Sequence, residues 1–150
     1  MSDRGQADER AGRVVIADVT GQVLTVSAHE RAVADRRGGA VVSFAGVVRD
    51  HDHGRSVREL EYEAHPAAGS LLAEIAAEIA AEPAVLAVAV SHRTGRLEIG
   101  DVALAAAITT AHRADAFALC ARLVDEVKAR LPIWKRQLFA DGTEEWVNCP

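Results

Sequence analysis

Apolar residues along this chain alternate between short runs with strand-like spacing and longer stretches with helical spacing, with glycine, proline or polar clusters between them. Val14-Val15-Ile16 and Val23-Leu24-Thr25-Val26 flank Thr20-Gly21, which predicts two extended segments joined by a turn. Ser27-Ala-His-Glu30 matches a capping box, with Ser27 as the cap and Glu30 reaching back. It predicts a short helix that runs to Gly38-Gly39 and carries His29 exposed in its first turn. Ala40 to Arg49, rich in valine around Phe44, predicts a largely buried strand, and Gly46 within it marks a bulge or a close approach. Asp50 to Ser56 is a polar loop. Beyond it Leu60, Tyr62 and Ala64 alternate with Glu59, Glu61 and Glu63, predicting a half-buried strand from Val57 to Ala64 that forms a long-looped hairpin with the one before.

Pro66 to Glu82 is amphipathic with helical spacing: Leu71, Leu72, Ile75 and Ile79 on one face, Glu74, Glu78 and Glu82 on a solvated one, closed by Pro83. Val85 to Ser91 predicts a strand, His92 to Asp101 a turn-rich connection, and Val102 to Thr109 a strand with one face of small residues open to close packing. A second long helix follows Ala111-His112-Arg113 and buries Ala116, Cys120, Leu123, Val124, Val127 and Leu131. Pro132 ends it. Asp141-Gly142 between Trp134 to Phe139 and Glu144 to Val147 predicts a hairpin, with Trp134 and Trp146 as core or interface aromatics.

At 150 residues the chain suits one domain, expected over 13–150 behind a polar, disordered tail of residues 1–12. The tail has no signal-peptide character, and no apolar run is long enough to span a membrane. Two cysteines without a CxxC pairing suggest neither a disulfide framework nor a zinc site, so the expected compartment is the cytoplasm. A formal charge of -5 argues against nonspecific nucleic-acid binding. An anionic ligand therefore needs a local basic patch.

That patch is the stretch from Lys128 to Gln137, where Lys128, Arg130, Lys135 and Arg136 occur without an acid. Pro132 places Lys128 and Lys135 on different elements beside one corner. A lysine at the edge of a buried stripe can serve as acid, base or nucleophile, or simply extend along the surface; both readings stand for Lys128. Arg49 after a strand and His112-Arg113 before a helix add cations at element ends, where a helix start favours an anion. The alternative is that His112 and Arg113 only cap or pair locally. If the fold joins these three places, they make a pocket for a small phosphorylated ligand. His51 and His53 with their aspartates belong to a polar loop, because no third zinc ligand follows at a recognisable spacing.

The ordered set Phe44-Ala-Gly-Val-Val-Arg49, Leu60-Glu-Tyr-Glu-Ala64, His92-Arg-Thr-Gly95, Gly100-Asp101, Ala111-His-Arg113, Ala116-Phe117, Lys128 through Pro132-Ile-Trp-Lys135, Asp141-Gly142 and Trp146-Val147 resembles the large catalytic subunit of molybdopterin synthase, the MoaE family. The resemblance covers nearly everything from Gly39 onward. It implies an α+β fold of the α/β-hammerhead type, mostly antiparallel with packed helices and a C-terminal hairpin. It also implies a homodimer of large subunits with a small, ubiquitin-like sulfur carrier on each outer end, a heterotetramer overall. The carrier's C-terminal glycine thiocarboxylate donates sulfur to cyclic pyranopterin monophosphate, and two transfers build the molybdopterin dithiolene. By position, Lys128 is assigned acid-base work at the reacting carbons, with a transient covalent contact to the carrier's terminal carbonyl as one route. Lys135 is assigned to stabilising anionic sulfur and phosphate. Arg49, His112 and Arg113 would bind the phosphate, with the backbone of Val47 and Val48 and the side chains of Arg136 and Gln137 lining the site. No cofactor or metal is expected in the large subunit, and no cysteine relay.

One position departs from the family's pattern. Gln137 stands where a glutamate is common, and an amide can hydrogen bond but cannot pair ionically with Lys135 or accept a proton. Two competing readings are a noncatalytic adaptor that docks a ubiquitin-like partner and a metal-dependent phosphohydrolase built on His51, His53, His92 and His112.

Overall fold

Two sheets share the chain, and the site lies where they meet. In the computed structural model, which describes residues 12–149, the first sheet has strand order β1-β5-β7-β2, formed by β1 (Arg13–Thr20), β2 (Ala40–Val47), β5 (Val85–Arg93) and β7 (Val102–Thr110). β1 runs parallel to β5, while β5, β7 and β2 are antiparallel neighbours. The second sheet has order β3-β4-β8-β9, from β3 (His51–Asp52), β4 (Arg55–Ala64), β8 (Ile133–Phe139) and β9 (Glu144–Cys149), with β6 (Gly95–Glu98) also paired to β4. The expected tail of residues 1–12 lies, apart from Gly12, outside the described residues.

Alternation along β5 and β7 decides what covers each face of the first sheet. Val88, Val90, Leu104, Ala106 and Ile108 point to one side, where α2 (Ala68–Ala80) brings Leu72, Ile75 and Ile79, and α3 (Arg113–Arg130) brings Cys120, Leu123 and Val127. Ala87, Ala89 and Ala107 point to the other and pack against Val33, just after α1 (Val26–Ala32). The small face of β7 thus receives a close neighbour: Thr109 Oγ1 donates to the Val33 carbonyl at 2.6 Å. A smaller core of Val48, Val57, Leu60, Leu97, Ala103 and Phe139 lies under the second sheet.

Several local expectations are corrected. Residues 13–20 form one strand, and Val26 begins a helix instead of ending an extended segment. The cap is Thr25 without a side-chain bond, α1 stops at Ala32, and Glu30 accepts from Ser43 Oγ instead of reaching back. His29 is buried, held between the Thr25 carbonyl and Ser91 Oγ, so the helix uses it to grip the sheet. β2 is an edge strand with every second residue exposed, and it pairs with β7, not with β4. Residues 95–98 of the expected connection form β6. The helix expected over 66–82 spans 68–80, and of its acids Glu78 and Glu82 pair with Arg130 and Arg122 on α3. Trp134 and Trp146 are exposed by 40% and 54%, so neither is a core residue.

Two turns fix the geometry near the site. β3 and β4 are joined by His53-Gly54, both with positive φ (50° and 78°), the conformation of a tight two-residue hairpin. Between Gly46 and Val47 the register with β7 slips, as the glycine suggested, and the chain leaves the sheet toward Arg49.

Candidate active site

At the corner between α3 and β8, the helix ends because Leu131 adopts an extended backbone before Pro132. Lys128 is in the last turn of α3, and Lys135 lies on β8 after the corner. Both line a cavity of about 220 Å³ whose wall also includes Val47, Val48, Arg49, His92 and Gln137. Among the described residues, neither lysine makes an ion pair or hydrogen bond. They are the uncommitted cations of the corner.

The other two cations of that stretch are committed elsewhere. Arg130 pairs with Glu78 and Glu126, and Arg136 with Glu61 and Glu144. Period two along β8 explains the second case: Lys135 and Gln137 share one face, and Arg136 is turned to the opposite one, toward Trp146. Arg136 is therefore not in the cavity wall. Val48 contributes apolar packing, since it is buried and its backbone bonds the 100–101 turn: its N–H donates to the Asp101 carbonyl at 2.9 Å and its carbonyl accepts from Gly100 N–H at 2.8 Å. Arg49 stands exposed at the rim, 3.4 Å from Asp52.

His112 and Arg113 do not join this cavity. His112 caps the start of α3 and Lys128 lies sixteen positions on, so the helix separates them by about 24 Å. A single chain therefore presents Arg49 with the lysines at one place and His112-Arg113 at another. The same distance takes His112 out of the four-histidine metal reading: His51 and His92 both line the cavity, His53 is exposed at the β3–β4 turn, and His112 stands at the far helix end. Among the described residues, no group of three His, Cys, Asp or Glu side chains could hold a metal ion.

Two residues of the cavity wall were given no place in this site by the sequence, where Asp52 belonged to a polar loop and His92 only to the family motif and the metal reading. His92 is buried, stacks edge-on against Tyr62 at 5.0 Å, and donates Nδ1–H to the Arg93 carbonyl at 2.8 Å, which leaves the lone pair on Nε2. Burial first, and the nearby Lys128 charge, push its pKa below the ordinary histidine value, against the opposing effect of the Arg93 bond. The imidazole is neutral at pH 7. Asp52 accepts from Gln137 Nε2 at 2.8 Å, and this bond, together with the charges of His53, Lys135 and Arg49, holds its carboxyl below the usual carboxylate range despite burial. Alternation with Gly54 and the turn residues around them had suggested only a polar loop. Cys120 is buried in the helix-sheet core, and burial pushes its thiol up, away from reactive thiolate.

A cavity with two unpaired lysines, an arginine at the rim, a neutral imidazole and one carboxylate can bind an anion and move protons beside it. Comparison with known proteins gives this chemistry a family. Residues 19–130 match the family model described as MoaE protein. The chain is 42% identical over 116 residues to the molybdopterin synthase catalytic subunit of Nostoc sp., covering 76% of this chain and 70% of that protein. The crystal structure of molybdopterin synthase from Staphylococcus aureus superposes with a TM-score of 0.79 at 31% identity, covering 86% of this chain and 94% of that one. At 20% identity, a chain from the protein-protein complex of subunits 1 and 2 of molybdopterin-converting factor from Helicobacter pylori shares the fold, with a TM-score of 0.70 and coverage of 89% and 90%.

Proposed function

The chain belongs to the MoaE family, and from that premise we propose that it performs the sulfur-transfer reaction of molybdopterin synthase as the large, catalytic subunit. The observation that carries the reading is the pair of lysines, Lys128 and Lys135, unpaired and on one cavity wall. In this reading a small ubiquitin-like carrier threads its C-terminal glycine thiocarboxylate into the cavity, next to cyclic pyranopterin monophosphate. Lys128 exchanges protons with the reacting carbons as sulfur is added, a role open to an amine at the end of a helix and beside an imidazole that carries no competing charge. Lys135 stabilises the anionic sulfur and phosphate groups that develop. Arg49, whose guanidinium forms a planar fork of donors, clamps phosphate at the rim.

The placement of His112 and Arg113 favours a homodimer. Too far from Lys128 to serve the same cavity, they would reach a pterin phosphate bound in the cavity of a second copy. With one carrier per large subunit, the assembly would be a heterotetramer; the complex of two subunits from Helicobacter pylori, similar in fold, supports pairing with a small partner. No helix among the described residues is long and apolar enough to cross a membrane.

The test is a reconstitution from the purified protein, a thiocarboxylated small subunit and cyclic pyranopterin monophosphate, with the dithiolene product assayed. Product from wild type and none above background from Lys128→Ala is the expected result. Binding of the small subunit without product from wild type would favour the noncatalytic adaptor.

A further inference from the structure

Among the described residues that line the cavity, Asp52 is the one carboxylate, and it is held there by design of the backbone. The tight His53-Gly54 turn sets Asp52 opposite Arg55, and Gln137 reaches it from β8 over the intervening strand β4. Gln137 is only 2% exposed. A buried amide is costly unless bonded, and an ionised carboxylate only accepts, so Gln137 must present its NH2 to Asp52. Around that fixed charge stand Arg49 at 3.4 Å and His53 at 3.7 Å, with Lys135 beyond ion-pair contact but close enough for attraction.

We propose that Asp52, locked by Gln137, is the positioning carboxylate of the cavity: its charge holds the Lys135 ammonium and the Arg49 guanidinium over the cavity and releases them to the anion of an arriving phosphorylated ligand. The amide at 137 is then one half of a pair whose acid sits on the other strand. The identity of the ligand rests on the proposed function; the arrangement of the charges does not.

Asn is nearly isosteric with Asp and can still accept from Gln137, so Asp52→Asn removes the charge and keeps the bond. It should lower kcat by about tenfold or more, the scale of a misplaced catalytic group, while KM for the pterin does not rise, because the lost charge is one that repels phosphate. Exchanging the two groups, Asp52→Asn with Gln137→Glu, returns a carboxylate and an amide donor to the same place and should restore kcat to within about threefold of wild type. Gln137→Glu alone sets two carboxylates at hydrogen-bond distance, so one proton is shared and activity gains a new pH transition above the usual carboxylate range. Competitive acetylation of the free protein, read by mass spectrometry with Lys128 as internal reference, tests the positioning without turnover. Lys135 should acetylate about threefold faster or more in Asp52→Asn, once the charge that holds its half-buried side chain against the cavity wall is gone and the amine is freer to meet the reagent. Wild-type kcat with unchanged Lys135 labelling in Asp52→Asn would overturn the proposal, as would an exchanged pair as slow as the single variant. If wild type makes no product while Lys135 labelling still responds, the reaction is wrong and the positioning role stands.

Discussion

His112 and Lys128 stand at opposite ends of one helix, about 24 Å apart along its axis. If both serve one reaction, they serve it from different copies of the chain. Mixing His112→Ala with Lys128→Ala should then recover activity that neither variant has alone, because each mixed dimer contains one cavity with both residues intact. Differently tagged variants, co-purified and assayed for dithiolene, check this; no recovery in verified mixed dimers would confine the site to one chain.

Lys128→Ala should cost catalysis and spare the fold. The side chain is exposed and makes no ion pair among the described residues, so the change in stability should stay within about 0.5 kcal/mol. The loss in kcat should be about a hundred- to ten-thousand-fold, the range for a positioned acid or base. Chemical denaturation and single-turnover assays on the same preparation separate the two effects.

For His92 the sign of the pH effect follows from its depressed pKa. The unfolded chain binds this proton near the ordinary histidine value of about 6.5 and the folded chain only at lower pH, so the stability gained from the neutral imidazole is present above that value and lost as pH falls through the window beneath it. Proton NMR should place the His92 midpoint below 6.5 in wild type. In Lys128→Ala the midpoint should rise, because one repelling charge is gone, and still remain low, because burial is the larger cause.

Asp35 provides an acid-labile tie far from the cavity. Arg37 bonds it through both backbone and side chain, with Arg13 of β1 at 3.6 Å, and these partners, Arg37 foremost, lower its pKa to about 2. Its contribution is complete above about pH 4 and disappears as pH falls toward 2. Thermal melts at pH 5 and pH 3 should show a larger drop for wild type than for Asp35→Asn.

Leu123→Ala should destabilise the chain by about 2–5 kcal/mol, because the side chain is fully buried between α3 and the first sheet and its removal leaves a cavity. Urea unfolding measures it directly.

Much of this architecture could be read from spacing. The two long helices, the buried face of α3, the corner at Pro132 and the Asp141-Gly142 hairpin follow from period, proline and turn chemistry that act within a few residues. The N-terminal region was misread because Val23 to Val26 has strand-like composition, yet α1 exists to lay His29 and Val33 against β5 and β7, a demand made by residues some sixty positions away. Strand partners were equally hidden: β2 and β4 are strongly β-prone and separated only by the two-residue β3, but each belongs to a different sheet. At the site, the two lysines were visible as charges at a corner. Asp52 and His92 were not, since their roles depend on a bond to Gln137 and on a tautomer set by Arg93, neither of which leaves a spacing in the sequence.

The parallel pairing of Arg13 with Ala87 also sets an order in time. β1 is synthesised first, yet its partner β5 is made some seventy residues later, a wait of roughly 4–15 s at ordinary ribosomal speeds of about 5–20 residues per second. Through that interval Val14, Val15 and Ile16 have no sheet to join. Newly made chains therefore pass through a stage in which an apolar ribbon is unclaimed, and slowing translation between β1 and β5 would lengthen the period when chaperones or neighbouring nascent chains can take it.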